Sequence, residues 1–458
     1  MGGARAWLPV AALAFGGFAV SLVHTLVVPL LPLLPGLLHA SAAEVSWLVT
    51  ATLLASAIAT PLLGRLGDQF GKRRMLLVAL ALLVAGSVLC ALTGDLTTMI
   101  VGRALQGCAT AVIPLGISII GTTLPPERRP AGIALVSATL GIGGAIGLPA
   151  SGLVVGHADF RLLFWACAAA GVLAAVAVLT LVPAPPGGGG RVDVPGAVLL
   201  AVVLCALMLP LANGGTWGWT SARTLGLGAL FAVSSVLFVR YQLLRHSPLV
   251  DIRAVRRRPI LLTNVVSVLV GFALYVNFLS TATYVEAPFE TGYGFGVSAV
   301  VGGLCMLPGG ITMLVLSPVS ARLISRRGAR LTLIYGSAVI AAGFLLRMVL
   351  TERLWQVLLG ATVASAGAAV AYAAMPAMIL DVSAEHEAAA ATSLNTLARG
   401  IGTSLASASA TALLATVTVV VGGTVFPARE AFLVFFAAGA VTAALAVFIA
   451  TAGLNPAR

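Results

Sequence analysis

Few ionisable side chains lie within the long apolar stretches of this chain, and these few are the candidates for moving protons. His24 can change its charge near neutral pH, and burial drives an imidazole toward its neutral form. Glu286 lies toward the end of a later apolar stretch, and Asp68 lies in a short polar segment. With Arg103 they form a candidate set for proton coupling. The alternative for His24 is a core histidine whose hydrogen bonds are satisfied within the protein. The alternative for Glu286 is a carboxylate at the rim of the membrane that carries no proton.

Two arginines lie inside apolar stretches. An arginine at the centre of a membrane span costs about 2.5–3.5 kcal/mol on insertion scales, so such a residue usually faces the protein interior or water. Arg103 is followed by Gln106 and Gly107, and Arg399 lies in an Asn-Thr-Leu-Ala-Arg-Gly run. The alternative for both is that the long side chain reaches the nearest interface.

The remaining chemistry-bearing residues argue against an enzyme. The acidic residues are mostly scattered singly, without the paired acids or the His/Asp cluster that catalysis at a membrane would require. No Gly-x-x-x-x-Gly-Lys-Ser/Thr loop is present, so direct use of ATP is not predicted. No cofactor is implied either. Disulfides and a structural metal site are not predicted, because the five cysteines lie in apolar stretches without Cys-x-x-Cys spacing. They are Cys90, Cys108, Cys167, Cys205 and Cys305.

Composition identifies the elements that must position these residues. The 458 residues are 60% hydrophobic and 9% charged, whereas a soluble domain carries about 25% charged residues. Lipid must therefore form part of the solvent. The net charge of +12 comes from 26 basic residues distributed over short loops. That distribution indicates membrane topology, and it does not predict nucleic-acid binding.

Runs of about 20 apolar residues predict fourteen membrane-spanning helices in the pattern six, two, six. We expect an all-α membrane protein with a first bundle in residues 1–183, a linker with two extra spans in 184–258, and a second bundle in 259–458. The linker begins with prolines and four glycines. The predicted spans are 8–34, 46–66, 75–94, 98–121, 131–155, 162–183, 195–213, 224–240, 260–286, 297–319, 330–350, 354–380, 391–416 and 430–452.

The basic residues predict that both termini are cytoplasmic. Of the 26 basic residues, two lie within spans and five fall in the predicted outer loops, which leaves nineteen on the cytoplasmic side. The acidic loop at residues 381–387 is the one exception to this pattern. The five outer residues are Arg161, Arg223, Arg347, Arg353 and Arg429.

An internal repeat is visible in two loops. Residues 64–73 and 321–330 share Arg, Leu, Gly and a final Arg in register, and both follow the second span of a six-span half. Ser325 stands where the first copy has Asp68. A duplicated half explains this match, and the alternative is that short cytoplasmic loops collect Arg and Gly in any case.

Residues 64–74 resemble the signature loop of the major facilitator superfamily, between its second and third helices. The resemblance implies a loop that latches one bundle against the other during the transport cycle. Its glycines permit a tight turn, and its basic residues stay at the headgroups. The latch residues implied by the resemblance are Gly64, Arg65, Asp68, Gly71, Lys72 and Arg73.

Two further runs resemble motifs of this superfamily. The Arg103-x-x-Gln106-Gly107 run is similar to its fourth-helix motif, which is associated with proton coupling. The Gly-rich fifth span is similar to its antiporter motif, although Leu148 separates the central Gly and Pro. Ordinary small-residue packing is the alternative for these glycines. The antiporter-motif residues are Gly143, Gly147, Pro149 and Gly152.

The whole chain resembles the fourteen-span drug:proton antiporter branch, but it departs from that branch in its first span. Aligned on Thr25 and Pro32, Val23 and Val28 occupy the positions of the usual acid and amide. The resemblance implies export of antibiotics or secondary metabolites by alternating access in a bacterial inner membrane, by a monomer. A uniporter or proton-linked importer on the same fold is the alternative.

Residues that contact the substrate can be predicted only from the polarity, aromaticity or polarisability of side chains in the later spans and in the fourth span. Because no charged lining is apparent at mid-membrane, we expect a neutral or weakly basic lipophilic substrate. Expected partners are this small molecule, protons and the bilayer, without nucleic acid. The candidate cavity residues are Gln106, Asn264, Tyr275, Asn277, Tyr372, Met375, Asn395 and Arg399.

Overall fold

The computed structural model describes residues 7–31, 33–157, 159–184, 186–190, 192–245 and 247–454. Pro32, on which the first span was aligned, lies outside the described residues, as do Pro185 and Arg191 of the predicted linker and the predicted cytoplasmic ends 1–6 and 455–458. Within the described part the chain is mostly helical.

In the described part of residues 8–181, the chain forms nine α-helices. A turn of 3-10 helix at Ala109–Ala111 joins α6 to α7, so these two helices continue one another. The bounds are α1 Leu8–Leu26, α2 Leu34–Leu37, α3 Ala42–Val45, α4 Trp47–Phe70, α5 Lys72–Leu92, α6 Leu96–Cys108, α7 Val112–Thr123, α8 Arg129–His157 and α9 Arg161–Leu181.

The rest of the described chain continues with helices and one hairpin. Short 3-10 turns lie at Val28–Leu30, Phe289–Thr291 and Glu385–Glu387. The bounds are α10 Val194–Trp217, α11 Ala222–Leu244, α12 Ile252–Val255, α13 Arg258–Glu286, α14 Ala299–Leu304, α15 Leu307–Val315, α16 Ser317–Val349, α17 Leu354–Val382, α18 Ala388–Thr416, β1 Thr418–Val421, β2 Thr424–Pro427 and α19 Arg429–Ala452.

In the described part, 12 helical stretches are long and apolar enough to cross a membrane. One of them, Val300–Val349, has 50 residues, and a continuous helix of that length would measure about 75 Å against a hydrocarbon core of about 30 Å. Gly328 divides it with a φ of 80°. The more polar α18, with 29 residues, is not among the 12. The predicted count of fourteen spans differs from these 12 stretches at two places, the Val300–Val349 stretch and α18, and it stays a prediction.

Three local predictions are wrong. The first span ends at Leu26 instead of residue 34, because prolines follow and the chain continues in a 3-10 turn. The predicted span 297–319 is divided, with a proline in the first turn of both α15 and α16. The chain is not all-α, since β1 and β2 pair antiparallel across Gly422 and Gly423, both at positive φ. Two glycines between strands rich in Val and Thr are a typical hairpin signal.

The repeated loops share their backbone turn. Gly71 precedes α5 with a φ of 106°, and Gly328 breaks α16 with a φ of 80°. A positive φ is favourable for glycine because it has no Cβ. In both copies the glycine therefore allows the chain to turn from one long helix into the next.

Two hydrophobic cores organise the helices. The first joins α1 and α4–α9 through buried residues such as Leu80 and Ile117, and we call these helices the first bundle. The second joins α13, α16, α17, α18 and α19 through residues such as Phe344 and Phe436; with α14 and α15 these form the second bundle. A smaller cluster, including Leu204 of α10, joins α10 and α11 to both α4 and α18. The extra pair therefore lies across both bundles.

Replacing Gly402 by alanine is expected to destabilise the protein, because the added Cβ would lie 2.0 Å from the carbonyl oxygen of Val268 on α13. Overpacking of this kind costs typically about 1–3 kcal/mol. Gly400, on the same helix, has nothing within 4 Å of an added Cβ and provides the matched control. Thermal unfolding in detergent should show a lower melting temperature for Gly402→Ala alone. Equal melting temperatures for the two variants would contradict this packing.

Candidate functional site

The predicted latch loop joins the two bundles. Asp68, on the last turn of α4, accepts a hydrogen bond from the N–H of Ala389 at 3.1 Å and another from that of Ala390 at 2.8 Å. Both N–H groups belong to the first turn of α18 in the second bundle, where the helix dipole favours a carboxylate. Lys72 Nζ lies 3.7 Å from Asp68 Oδ1 and donates to the carbonyl of Glu385 at 3.1 Å.

The rest of the latch loop allows close approach. An added Cβ at Gly64 would lie 2.1 Å from Ser393 Oγ, and one at Gly67 would lie 2.6 Å from Leu115. Arg73 donates to the carbonyl of Leu179 within the first bundle. Arg65 lines a cavity of about 240 Å³ beside the latch, between the ends of α4 and α18 and residues 248–257. The glycines of this loop are therefore required by packing between helices as well as by the turn.

One part of the latch was not predicted from sequence. The glycine run 187–190, predicted to belong to a linker, contacts the end of α4. The N–H of Gly188 donates to the carbonyl of Asp68 at 2.8 Å, and that of Gly189 donates to the carbonyl of Gln69 at 3.0 Å. These bonds satisfy carbonyls that the end of a helix leaves free. The run therefore connects the extra helix pair to the latch.

Arg103 is buried within the first bundle, with 2% of its surface exposed. Its Nη1 donates to Gln106 Oε1 at 2.8 Å and to the carbonyl of Val23 at 3.0 Å, and its Nε donates to the carbonyl of Leu48 at 3.4 Å. Gln106 donates in turn to Ser87 Oγ at 2.8 Å. The guanidinium therefore connects three helices through neutral acceptors and does not reach the interface.

His24 lies beside this group. It is half-buried on α1, next to Val23 in sequence, and its Nε2 is 3.0 Å from Thr110 Oγ1. Thr110 lies in the 3-10 turn between α6 and α7. Sequence reasoning missed Thr110 and Ser87, since a hydroxyl inside an apolar helix carries no distinguishing pattern.

A second polar group, the Arg399 cluster, lies within the second bundle. Asn395 Nδ2 donates to Asn264 Oδ1 at 3.0 Å and to Ser267 Oγ at 2.7 Å. Arg399 Nη1 donates to Asn395 Oδ1 at 3.0 Å, and the guanidinium lies 5.1 Å from the ring centroid of Tyr372. Ser267, which the sequence did not single out, also contacts the sulfur of Met375 at 2.9 Å. The cluster consists of Asn264, Ser267, Tyr372, Met375, Asn395, Thr396 and Arg399.

Two other candidates are placed apart from this cluster. Tyr275 contacts Ser407 Oγ at 3.3 Å. Asn277 donates to Ser365 Oγ at 3.1 Å and accepts from Arg347 Nη1 at 2.8 Å. The structure does not bring either of them to the Arg399 cluster.

The predicted placement of Arg347 in an outer loop is wrong. Arg347 belongs to α16, is 1% exposed, and lies 4.3 Å from the ring centroid of Phe436. Side chains on a helix lean toward its N-terminus, so a residue near the C-terminal end leans into the bundle. Sequence reasoning placed it outside because a hydrophobic stretch ends nearby.

Glu286 is the last residue of α13 and is exposed. An added Cβ at Gly302 would lie 2.4 Å from its Oε1, so this carboxylate lies against α14. The structure does not bring Glu286 together with His24, Arg103 or Asp68.

The Gly-rich α8 packs closely against both bundles. An added Cβ at Gly143 would lie 2.3 Å from Ser21, and one at Gly147 would lie 2.0 Å from Thr25 Oγ1, both on α1. On the other side, an added Cβ at Gly152 would lie 3.0 Å from Val300 on α14. Pro149 is similarly close to the second bundle, 3.0 Å from a Cβ added at Gly303. Small residues therefore let α8 form a junction between bundles.

These features define a class of protein: a multi-pass membrane transporter of two helix bundles with polar groups inside each bundle and a charged contact between them. The chain belongs to the Major Facilitator Superfamily, whose family description matches residues 13–407.

Curated relatives include an export protein and a multidrug transporter. The chain is 31% identical over 345 residues to the tetracenomycin C resistance and export protein of Streptomyces glaucescens, which covers 74% of this chain and 62% of that protein. It is 28% identical over 304 residues to the multidrug transporter protein MdtP of Bacillus subtilis, which covers 66% of this chain and 55% of that protein. The chain thus spans about three fifths of the length of these relatives.

Solved structures show the same fold. The human organic anion transporter MFSD10 superimposes with a TM-score of 0.67 at 15% identity, covering 96% of this chain and 99% of that one. The proton:xylose symporter XylE superimposes with a TM-score of 0.67 at 13% identity, covering 97% of this chain and 96% of that one. At these identities the likeness concerns the fold alone.

Proposed function

We propose that this transporter is a proton-coupled exporter of small lipophilic compounds, such as antibiotics or secondary metabolites, and that it works by alternating access. The observation that carries the proposal is the pair of hydrogen bonds from α18 to Asp68. They join the two bundles at one end, and they must break before that end can open. Export, rather than import, is supported by the named functions of the curated relatives and by the resemblance of α8 to the antiporter motif of the family.

Proton coupling takes place at His24 in this proposal. The first-span carboxylate of related antiporters is replaced here by Val23, whose carbonyl accepts from Arg103. His24 is the adjacent residue, and Arg103 is the charged group beside it. A proton on His24 would place a second positive charge next to Arg103, which weakens the contacts between α1 and α6. That change gives proton uptake a means of altering the helix arrangement.

The experiment uses the purified full chain in proteoliposomes with an imposed pH gradient. The panel contains fluorescent lipophilic compounds that are neutral, cationic or anionic. We expect accumulation of at least one compound that depends on the gradient. Transport without any dependence on the gradient would favour the uniporter alternative and would contradict proton coupling.

We further propose fourteen spans with both termini in the cytoplasm of a bacterial cell, in the inner membrane, and a monomer as the working unit. The bundles are residues 1–183 and 259–458, and residues 184–258 hold the extra pair. Cysteine labelling from each side tests the count, in a variant whose native cysteines are replaced. His386→Cys and Gly423→Cys, at opposite ends of α18, should be labelled from opposite sides. Labelling from one side would show that α18 does not span.

A further inference from the structure

In the part of the chain that the structure describes, three arginines lie buried inside the helix bundles without an acidic partner within 4 Å. Arg103, Arg347 and Arg399 are 2%, 1% and 5% exposed. Among the described residues, the two carboxylate ion pairs within 4 Å are Lys72 with Asp68 and His386 with Glu387. Because a guanidinium keeps its charge in a protein, the interior carries three positive charges that no carboxylate of the described chain balances.

The three guanidiniums have different surroundings. Arg103 donates to carbonyls of α1 and α4, and Arg347 donates to Asn277 on α13, so both hold helices together. Arg399 instead donates to Asn395 and Thr396 of its own helix, and its other neighbour is the ring of Tyr372. Arg399 therefore makes no hydrogen bond to another helix in the described structure, and two of its five N–H donors account for the bonds it makes.

Arg399 also lies deep in the bundle. It is 11 positions after Ala388, where α18 begins, which is about 16 Å along a helix. A charge at this depth is costly unless it faces a partner of opposite charge or water. The neighbouring groups are amides, hydroxyls, an aromatic ring and the sulfur of Met375. Together they suit a molecule that has an apolar, aromatic body and one anionic group.

We propose that the transported compounds are lipophilic anions, carboxylates or phenolates on an aromatic body, and that Arg399 binds their anionic group. The aromatic body would lie against Tyr372 and Met375, and Asn264 with Asn395 would orient the guanidinium. This inference rests on the proposed export function and deepens it by naming the substrate class. It replaces the sequence-based expectation of a neutral or weakly basic compound, because three uncompensated positive charges repel a cation.

A pair of dyes with the same xanthene core tests the charge preference. Fluorescein is an anion, and rhodamine 123 is a cation of similar shape. In proteoliposomes with a pH gradient, we expect fluorescein to accumulate at least tenfold faster than rhodamine 123. Arg399→Gln should lower fluorescein transport at least tenfold and weaken its binding in detergent, measured by fluorescence polarisation. Arg399→Lys, which keeps the charge, should restore part of both. Arg223→Gln, at an exposed arginine of α11, is the control and should match the wild type.

The outcomes separate this inference from the proposed function. Gradient-driven transport of rhodamine 123 without fluorescein would overturn the anion preference and leave proton-coupled export standing. Fluorescein transport and binding that are unchanged in Arg399→Gln would overturn the role of Arg399. If Arg399→Gln does not insert, Arg399→Met, which is similar in length and uncharged, would overturn it equally by keeping wild-type fluorescein affinity. If the transport of no compound in the panel depends on the pH gradient, that result would instead contradict the proposed function.

Discussion

Asp68→Asn is expected to reduce gradient-driven transport at least tenfold while the protein still inserts. The carboxylate accepts two N–H donors from α18 and lies near Lys72. Hydrogen bonds to a charged group contribute about 1.5–3 kcal/mol each, and about 1.4 kcal/mol changes a population tenfold. The amide of asparagine removes the charge and points an N–H₂ group toward one of the two donors. The latch-closed state should therefore lose most of its population.

The second copy of the loop supplies the control for this prediction. Ser325 stands at the equivalent position, is exposed, and donates to the carbonyl of Arg322 at 3.0 Å. Ser325→Ala is expected to transport like the wild type. Initial rates in proteoliposomes are the measurement, normalised to inserted protein. Wild-type rates for Asp68→Asn would show that the latch contact is not part of the transport cycle.

Arg103→Gln is expected to uncouple transport from the proton gradient. The shorter side chain cannot reach the carbonyls of Val23 and Leu48 together, and it leaves Gln106 without its donor. Unsatisfied buried polar groups cost about 1–3 kcal/mol each. With the charge beside His24 removed, protonation of His24 no longer changes the packing of α1. Accumulation against a gradient should fall at least tenfold, while exchange of substrate across equilibrated liposomes should persist.

Exchange and accumulation are measured on the same preparation, so that loss of folding is distinguished from loss of coupling. Arg161→Gln is the control, because Arg161 is exposed at the start of α9 and donates to the carbonyl of Thr93 at 3.4 Å. It should retain both activities. If Arg103→Gln accumulates substrate like the wild type, Arg103 has no part in coupling.

Most helix bounds could be predicted from the sequence, because only long, apolar helical segments can cross the lipid. The predicted span 75–94 corresponds to Lys72–Leu92, and the predicted span 354–380 corresponds to Leu354–Val382. Apolar composition and the charges at the ends determine these limits locally. The hairpin of β1 and β2, from Thr418 to Pro427, was missed because only long apolar runs were sought.

The site was less predictable, because its contacts join residues that are distant in the chain. Asp68 and Ala389 are 321 positions apart, and nothing near either residue indicates the other. Arg347 was placed outside because a helix end in sequence does not show which way its side chain leans. The polar candidates were chosen by type, and the structure assembled most of them into the Arg399 cluster, together with Ser267 and Thr396. Asn277 was chosen by the same criterion and contacts Arg347 instead.

The extra helix pair has a consequence for how membrane-dissolved compounds reach the interior. α10 packs against both α4 and α18, the two helices joined by Asp68, through Leu200 and Leu204 among others. It also approaches α18 closely, since a Cβ added at Gly215 would lie 2.7 Å from Thr411. Acyl chains are therefore shielded from the seam between these two helices. Among the described residues, the cluster that holds the extra pair contains no residue of α8, α14 or α15. The extra pair therefore covers one of the two seams between the bundles, and a compound dissolved in the membrane meets two different sides of the transporter.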